Sequence, residues 1–124
     1  MRNQGAGSIV NVSSGATFGV LPGSAAYTSS KSALNMLSNV ARVVLADAGI
    51  VVSTVYPFIT ATEFYGSVKA GLQSARQQEA GTASVDQRPE QVAEMILGLI
   101  ESDAVQADLV PERHCCTNPV KDSS

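Results

Sequence analysis

The sequence predicts an α/β fold, a parallel three-stranded sheet with flanking helices in the order strand, helix, strand, helix, strand. Three observations carry this. Two short runs rich in β-branched residues, "GSIVNVSSG" at 7–15 and "IVVSTVYP" at 50–57, suit strands and are too short for helices. Each is followed downstream by a segment whose apolar residues recur at helical spacing. The second run is also apolar on both faces, as in a parallel strand covered by helices on each side. Alternation of this kind implies right-handed βαβ crossovers.

The first strand ends in a Ser/Gly turn at Ser13, Ser14 and Gly15. After a loop containing Pro22 and Gly23, "SAAYTSSKSALNMLSNVARVVLADAG" predicts a long helix, with Ser24 as N-cap and Gly49 as its stop. Ala33, Leu34, Leu37, Val40, Ala41, Val44 and Leu45 form its expected core face. Ala26, Met36 and Val43 widen the apolar surface onto a second flank, where a partner helix is expected. The strand at Ile50 to Pro57 follows, then a polar, irregular segment at 58–87 with a helix expected in its middle. "RPEQVAEMILGLIESD" predicts the next helix, Pro89 in its first turn and Val92, Met95, Ile96 and Ile100 on one face. "QADLVP", 106–111, is the final short strand. Residues 1–112 read as one domain and 113–124 as a flexible tail without periodicity.

A chain of 124 residues, 44% apolar and 15% charged, has the composition of one globular domain. The net charge of −3 and the lack of any Lys/Arg cluster argue against a nucleic-acid partner. No apolar run reaches the roughly 18 residues of a membrane span. The N-terminal "MRNQGAGS" lacks the pattern of a secretory signal, so a cytoplasmic protein is expected. His114, Cys115 and Cys116 lack the spacing and count of a zinc site, and no metal is expected.

The chemistry-bearing stretch is "YTSSK". Tyr27 and Lys31 stand four residues apart, so on a helix they rise from one face as neighbours. A phenol beside an ammonium is a proton donor whose conjugate base is stabilised by the adjacent cation. By itself the pair reads equally as a solvated surface contact. Ser14, thirteen residues before Tyr27, ends a strand, where parallel sheets place their chemistry; by itself it is also an ordinary turn residue.

Taken together, "SIVNVSSGATFGVLPGSAAYTSSKSALNMLS" resembles the catalytic region of the short-chain dehydrogenase/reductase family, in which a serine precedes the tyrosine of a Tyr-x-x-x-Lys motif by thirteen residues. "GIVVSTVYPFITATEF" resembles that family's next strand and nicotinamide loop, and "RPEQVAEMILGLIESDAVQADLVP" its last helix and strand. The resemblance implies part of a Rossmann-type doubly wound sheet and an NAD(P)-dependent oxidoreductase acting on an alcohol/carbonyl pair. It implies Tyr27 as general acid or base, Lys31 favouring the phenolate and holding the nicotinamide ribose, and Ser14 hydrogen-bonding the substrate oxygen. It assigns Pro57, Thr60 and Thr62 to the nicotinamide side, the threonines to its carboxamide. A homo-oligomer is implied for the full-length form.

Two departures matter. Within these residues there is no glycine-rich turn for a pyrophosphate and no residue to choose NAD over NADP, so the chain resembles the family's C-terminal half. Phe58 stands where the family usually has glycine. The resulting expectation is a marginally stable chain that is weak or inactive alone. The alternative is a non-catalytic remnant that acts as an interaction module through the 24–48 helix. The segment from Phe58 to about Ala83 is expected to form the substrate lid. Phe64 and Tyr65 either line a pocket there or simply pack the loop.

Overall fold

The structure, a computed structural model, describes residues 1–20, 22–58 and 87–109. Strand β1 (Gly7–Val12) leads through a 3-10 turn (Gly15–Phe18) to helix α1 (Ala25–Leu45), then strand β2 (Ile50–Tyr56), helix α2 (Pro89–Ser102) and strand β3 (Gln106–Asp108). All pairings are parallel and the sheet order is β1-β2-β3. β1 pairs with β2 from Gly7↔Ile50 to Val12↔Val55, and β2 with β3 from Thr54↔Gln106 to Tyr56↔Asp108. The expected α/β order is therefore present. Val110, Pro111 and the segment 113–124 lie outside the described residues, as does the internal segment 59–86 with its expected helix and lid.

β2 is the centre of the molecule. Ile50, Val52, Val55 and Tyr56 are buried, with Leu99 of α2 packed in the same core. Burial along both faces of β2 follows from its near-continuous apolar run. β1, by contrast, is half-exposed along most of its length, as befits an edge strand.

α1 meets the sheet differently from expectation. Leu34, Ala41 and Leu45 do turn inward, but Leu37, Val40 and Val44 are exposed, together with Met36 and Val43 on the flank. The inward face is shared with a polar stripe, Lys31, Asn35, Ser38 and Arg42. The reason is hydrogen bonding. Asn11 Nδ2 donates to Ser38 Oγ (2.9 Å), and Arg42 Nε donates to Val52 O (2.8 Å) while its Nη2 donates to Val105 O (3.2 Å). Polar groups beneath a helix must be satisfied, and here side chains from α1 satisfy them.

The helix ends follow local chemistry. Ser24 stands at the N-cap position, yet its hydroxyl pairs with Thr28 Oγ1 (2.9 Å) and not with a helix amide. Beyond Leu45 the chain tightens into a 3-10 turn and stops at Gly49, whose φ of 71° is left-handed. A Cβ at Gly49 would also run into the carbonyl oxygen of Gly5, so two constraints demand glycine there. In α2, Pro89 occupies the first turn as expected, and the Arg88 amide donates to Gln91 Oε1 (2.9 Å). Its inner face carries Val92, Met95, Ile96 and Leu99; Ile100, expected there, is exposed, because Leu99 completes the helical stripe one residue earlier.

Candidate active site

The carboxyl ends of β1 and β2 are tied together by their own backbone. The Ser13 amide donates to Val55 O (2.9 Å), extending the ladder by one residue, and the Gly15 amide donates to Pro57 O (2.7 Å). Between them sits Ser14, extended (φ −157°, ψ 141°) and 8% exposed. Its Oγ accepts from the Ala16 amide (3.1 Å), so it caps the 3-10 turn. An oxygen used in this way keeps its own proton to donate elsewhere. Phe18, at the end of the turn, packs on Tyr56 with ring centroids 4.7 Å apart, fixing the turn against the end of β2.

Tyr27 lies in the first turns of α1 and is 45% exposed. Lys31 follows one turn later, and its Nζ donates to the carbonyl of Val12, the last residue of β1 (3.1 Å). The same Nζ lies 5.9 Å from the centroid of the Tyr27 ring, within cation–π range. Lys31 thus bridges the Tyr27 ring and the strand end that continues into Ser14. Ser14, Tyr27, Lys31 and Pro57 all belong to this one corner of the sheet. Thr60 and Thr62 lie outside the described residues, as do Phe64, Tyr65, His114, Cys115 and Cys116.

Further side chains build the corner without a motif to mark them. The Ser13 hydroxyl donates to Asn35 Oδ1 and lies 3.5 Å from Lys31 O. Asn35 Nδ2 donates to Thr17 Oγ1 (3.1 Å), and Thr17 Oγ1 donates to Ser14 O (2.8 Å). Gln87 closes the far side: its Oε1 accepts from the Phe58 amide (3.0 Å) and its Nε2 donates to Leu109 O (3.2 Å), joining the exits of β2 and β3. One sequence signal does exist for Asn35. Tyr27, Lys31, Asn35, Ser38 and Arg42 are spaced four, four, three and four residues apart, a single helical stripe.

Such an arrangement can bind and protonate an oxygen. A hydroxyl donor, a phenol and an ammonium stand at the carboxyl rim of a parallel sheet, the rim at which open α/β sheets hold ligands. Among the described residues no His, Cys, Asp and Glu side chains gather as a metal site, and no helix is long and apolar enough to cross a membrane.

This order of elements and its three parallel strands define a Rossmann-like α/β arrangement. The profile of the short chain dehydrogenase family matches residues 1–73, more than half of the sequence, and the chain belongs to that family. No curated protein matches it. Solved structures agree on the fold. A short-chain dehydrogenase from Sphingobium yanoikuyae in complex with NADPH is 22% identical, with a TM-score of 0.70 over 86% of this chain and 39% of that one. One from Streptomyces avermitilis is 27% identical, with a TM-score of 0.66 over 89% and 44%. A short-chain type dehydrogenase/reductase from Mycobacterium ulcerans is 25% identical, with a TM-score of 0.69 over 87% and 41%. The chain therefore spans about two fifths of the length of the structures it resembles.

Proposed function

We propose that this chain carries the catalytic corner of an NAD(P)-dependent oxidoreductase that interconverts an alcohol and a carbonyl compound. The observation that carries the reading is the Lys31 bridge: one ammonium reaches both the Tyr27 ring and the strand end bearing Ser14. Tyr27 holds the proton at its phenolic oxygen and delivers it to the substrate oxygen, or removes it in the reverse direction. Ser14 donates its remaining hydroxyl proton to the same oxygen, orienting the substrate and stabilising negative charge that develops on it.

The donor set suits a nicotinamide dinucleotide. An ammonium carries three N–H donors, and Val12 O takes one of them, so Lys31 can also meet the two hydroxyls of a ribose. When bound, that cofactor supplies or accepts the hydride. Pro57, Thr60 and Thr62 are proposed to border its nicotinamide, and either NAD or NADP is compatible with these residues. Support for a dinucleotide also comes from the Sphingobium yanoikuyae relative, whose structure holds NADPH.

A second reading rests on a separate observation, the exposed apolar side of α1 formed by Met36, Leu37, Val40, Val43 and Val44. A surface of this kind fits an interaction module or a homo-oligomer contact. The two readings differ in one experiment. Residues 1–109 are fused in place of the matching segment of the Streptomyces avermitilis dehydrogenase, and folding, NADPH and NADH binding, and reduction of a ketone panel are measured. The catalytic reading expects reduction that Ser14→Ala slows. A folded, dinucleotide-binding fusion that reduces nothing would refute it.

A further inference from the structure

Three side chains at this corner form a chain of donors that ends on the Ser14 carbonyl and runs in a single direction. The Ser13 hydroxyl donates to Asn35 Oδ1, which leaves Asn35 Nδ2 to donate to Thr17 Oγ1; the Thr17 proton then goes to Ser14 O. In this arrangement Asn35 and Thr17 each accept one bond and donate one, so the Thr17 proton is left for Ser14 O. The Thr17 amide also donates to Ser14 O (3.1 Å), and the Ala16 amide to Ser14 Oγ. Ser14 is thereby gripped at its carbonyl and its hydroxyl by the turn it caps. The turn in turn is anchored to α1 at Asn35, one helical turn beyond Lys31.

We propose that Asn35 is a positioning residue. Through Thr17 it fixes the rotamer of Ser14, so that the free proton of Ser14 Oγ is aimed where Tyr27 and Lys31 act. The inference rests on the catalytic reading for its consequence, but the clamp is a statement about the chain's own atoms. Asn35 contacts neither reacting atom. It matters because a helix and a strand end are held in register by a side chain that can both accept and donate. Aspartate at the same place could still accept from Ser13 but could not donate to Thr17.

Hydrogen exchange and the Ser14 χ1 couplings, measured by NMR on the full 124-residue chain, test the clamp directly. Asn35→Asp and Thr17→Val are expected to average the Ser14 rotamer and to speed exchange of the Ala16 amide at least tenfold. Val52 and Val55, at the sheet centre, are expected to exchange within twofold of the parent. Thr17→Ser, which keeps the hydroxyl, is expected to restore both readouts. Unchanged Ala16 exchange in Asn35→Asp and Thr17→Val overturns the proposal. So does acceleration spread evenly over the sheet, which would mark a merely structural role. If Asn35→Asp does not fold, the Thr17→Val and Thr17→Ser pair decides. In the fusion, Asn35→Asp and Thr17→Val are expected to lower kcat at least tenfold with KM for NADPH within twofold, and Thr17→Ser to recover it. A parent fusion without turnover would count against the catalytic reading, and the exchange data would then decide the clamp alone.

Discussion

The Lys31 ammonium donates to the carbonyl of Val12 at 3.1 Å, so the residue proposed to steady a dinucleotide also fastens α1 to the last residue of β1. Lys31→Met removes this donor. The site is exposed and the freed carbonyl can rehydrate, so the stability loss is expected to be about 0.5–1.5 kcal/mol. Thermal unfolding checks it, with a fall in Tm on the order of 2–8 °C. An unchanged Tm would show that the tether contributes nothing to the fold.

Arg42 is a larger structural commitment. Its guanidinium reaches Val52 O, Val105 O and Asn39 Oδ1, filling the gap where β3 is too short to pair with the start of β2. Arg42→Leu leaves two backbone carbonyls without these donors and is expected to cost about 1–3 kcal/mol. Arg42→Lys, with a point charge in place of a planar fork, is expected to recover only part of the loss. Chemical denaturation of the two variants beside the parent measures the order, and equal stability of all three would contradict it.

Gly49 tests the junction between α1 and β2. Its left-handed φ of 71° costs a side-chain-bearing residue about 1–2 kcal/mol, and the Gly5 carbonyl blocks a Cβ in addition. Gly49→Ala is therefore expected to destabilise by more than the backbone term alone. Gly23, also at positive φ (82°) but with open space around it, is the control. Gly23→Ala should show the backbone term only. Equal losses at the two positions would remove the steric argument.

The exposed side of α1 should be sticky. Val43 is 77% exposed and Met36 63%, on the same helix as Leu37, Val40 and Val44. The molar mass from light scattering is expected to rise with protein concentration, and Val40→Glu with Val43→Glu to hold it at the monomer value. A monomer at every concentration would contradict the oligomer contact.

Much of this architecture was legible in the residues. The β-branched runs at 7–12 and 50–56 and the intervening helical period were enough for the parallel topology; Tyr27 and Lys31 stood out by their four-residue spacing, and Ser14 by its place at a strand end and by the family resemblance. The orientation of α1 was not legible. Apolar periodicity assigns Leu37, Val40 and Val44 inward, whereas the sheet under α1 presents the carbonyls of Val12, Val52 and Val105 and the hydroxyl of Ser13, which call for polar partners. A seam of this kind reverses the usual reading of an amphipathic helix. Asn35, Thr17 and Gln87 escaped for a different reason. Their partners lie far along the chain, and an asparagine or glutamine within a helix or loop looks like ordinary surface until those partners are known.

Turnover of the fused enzyme carrying Tyr27 against Tyr27→Phe tests the central claim most directly. If the Tyr27 hydroxyl moves the proton, its loss should lower kcat by about 100- to 10,000-fold, with dinucleotide affinity little changed. A Tyr27→Phe enzyme that folds, binds NADPH and reduces the same ketone at the parent's rate would contradict the assignment of this corner as a reductase site.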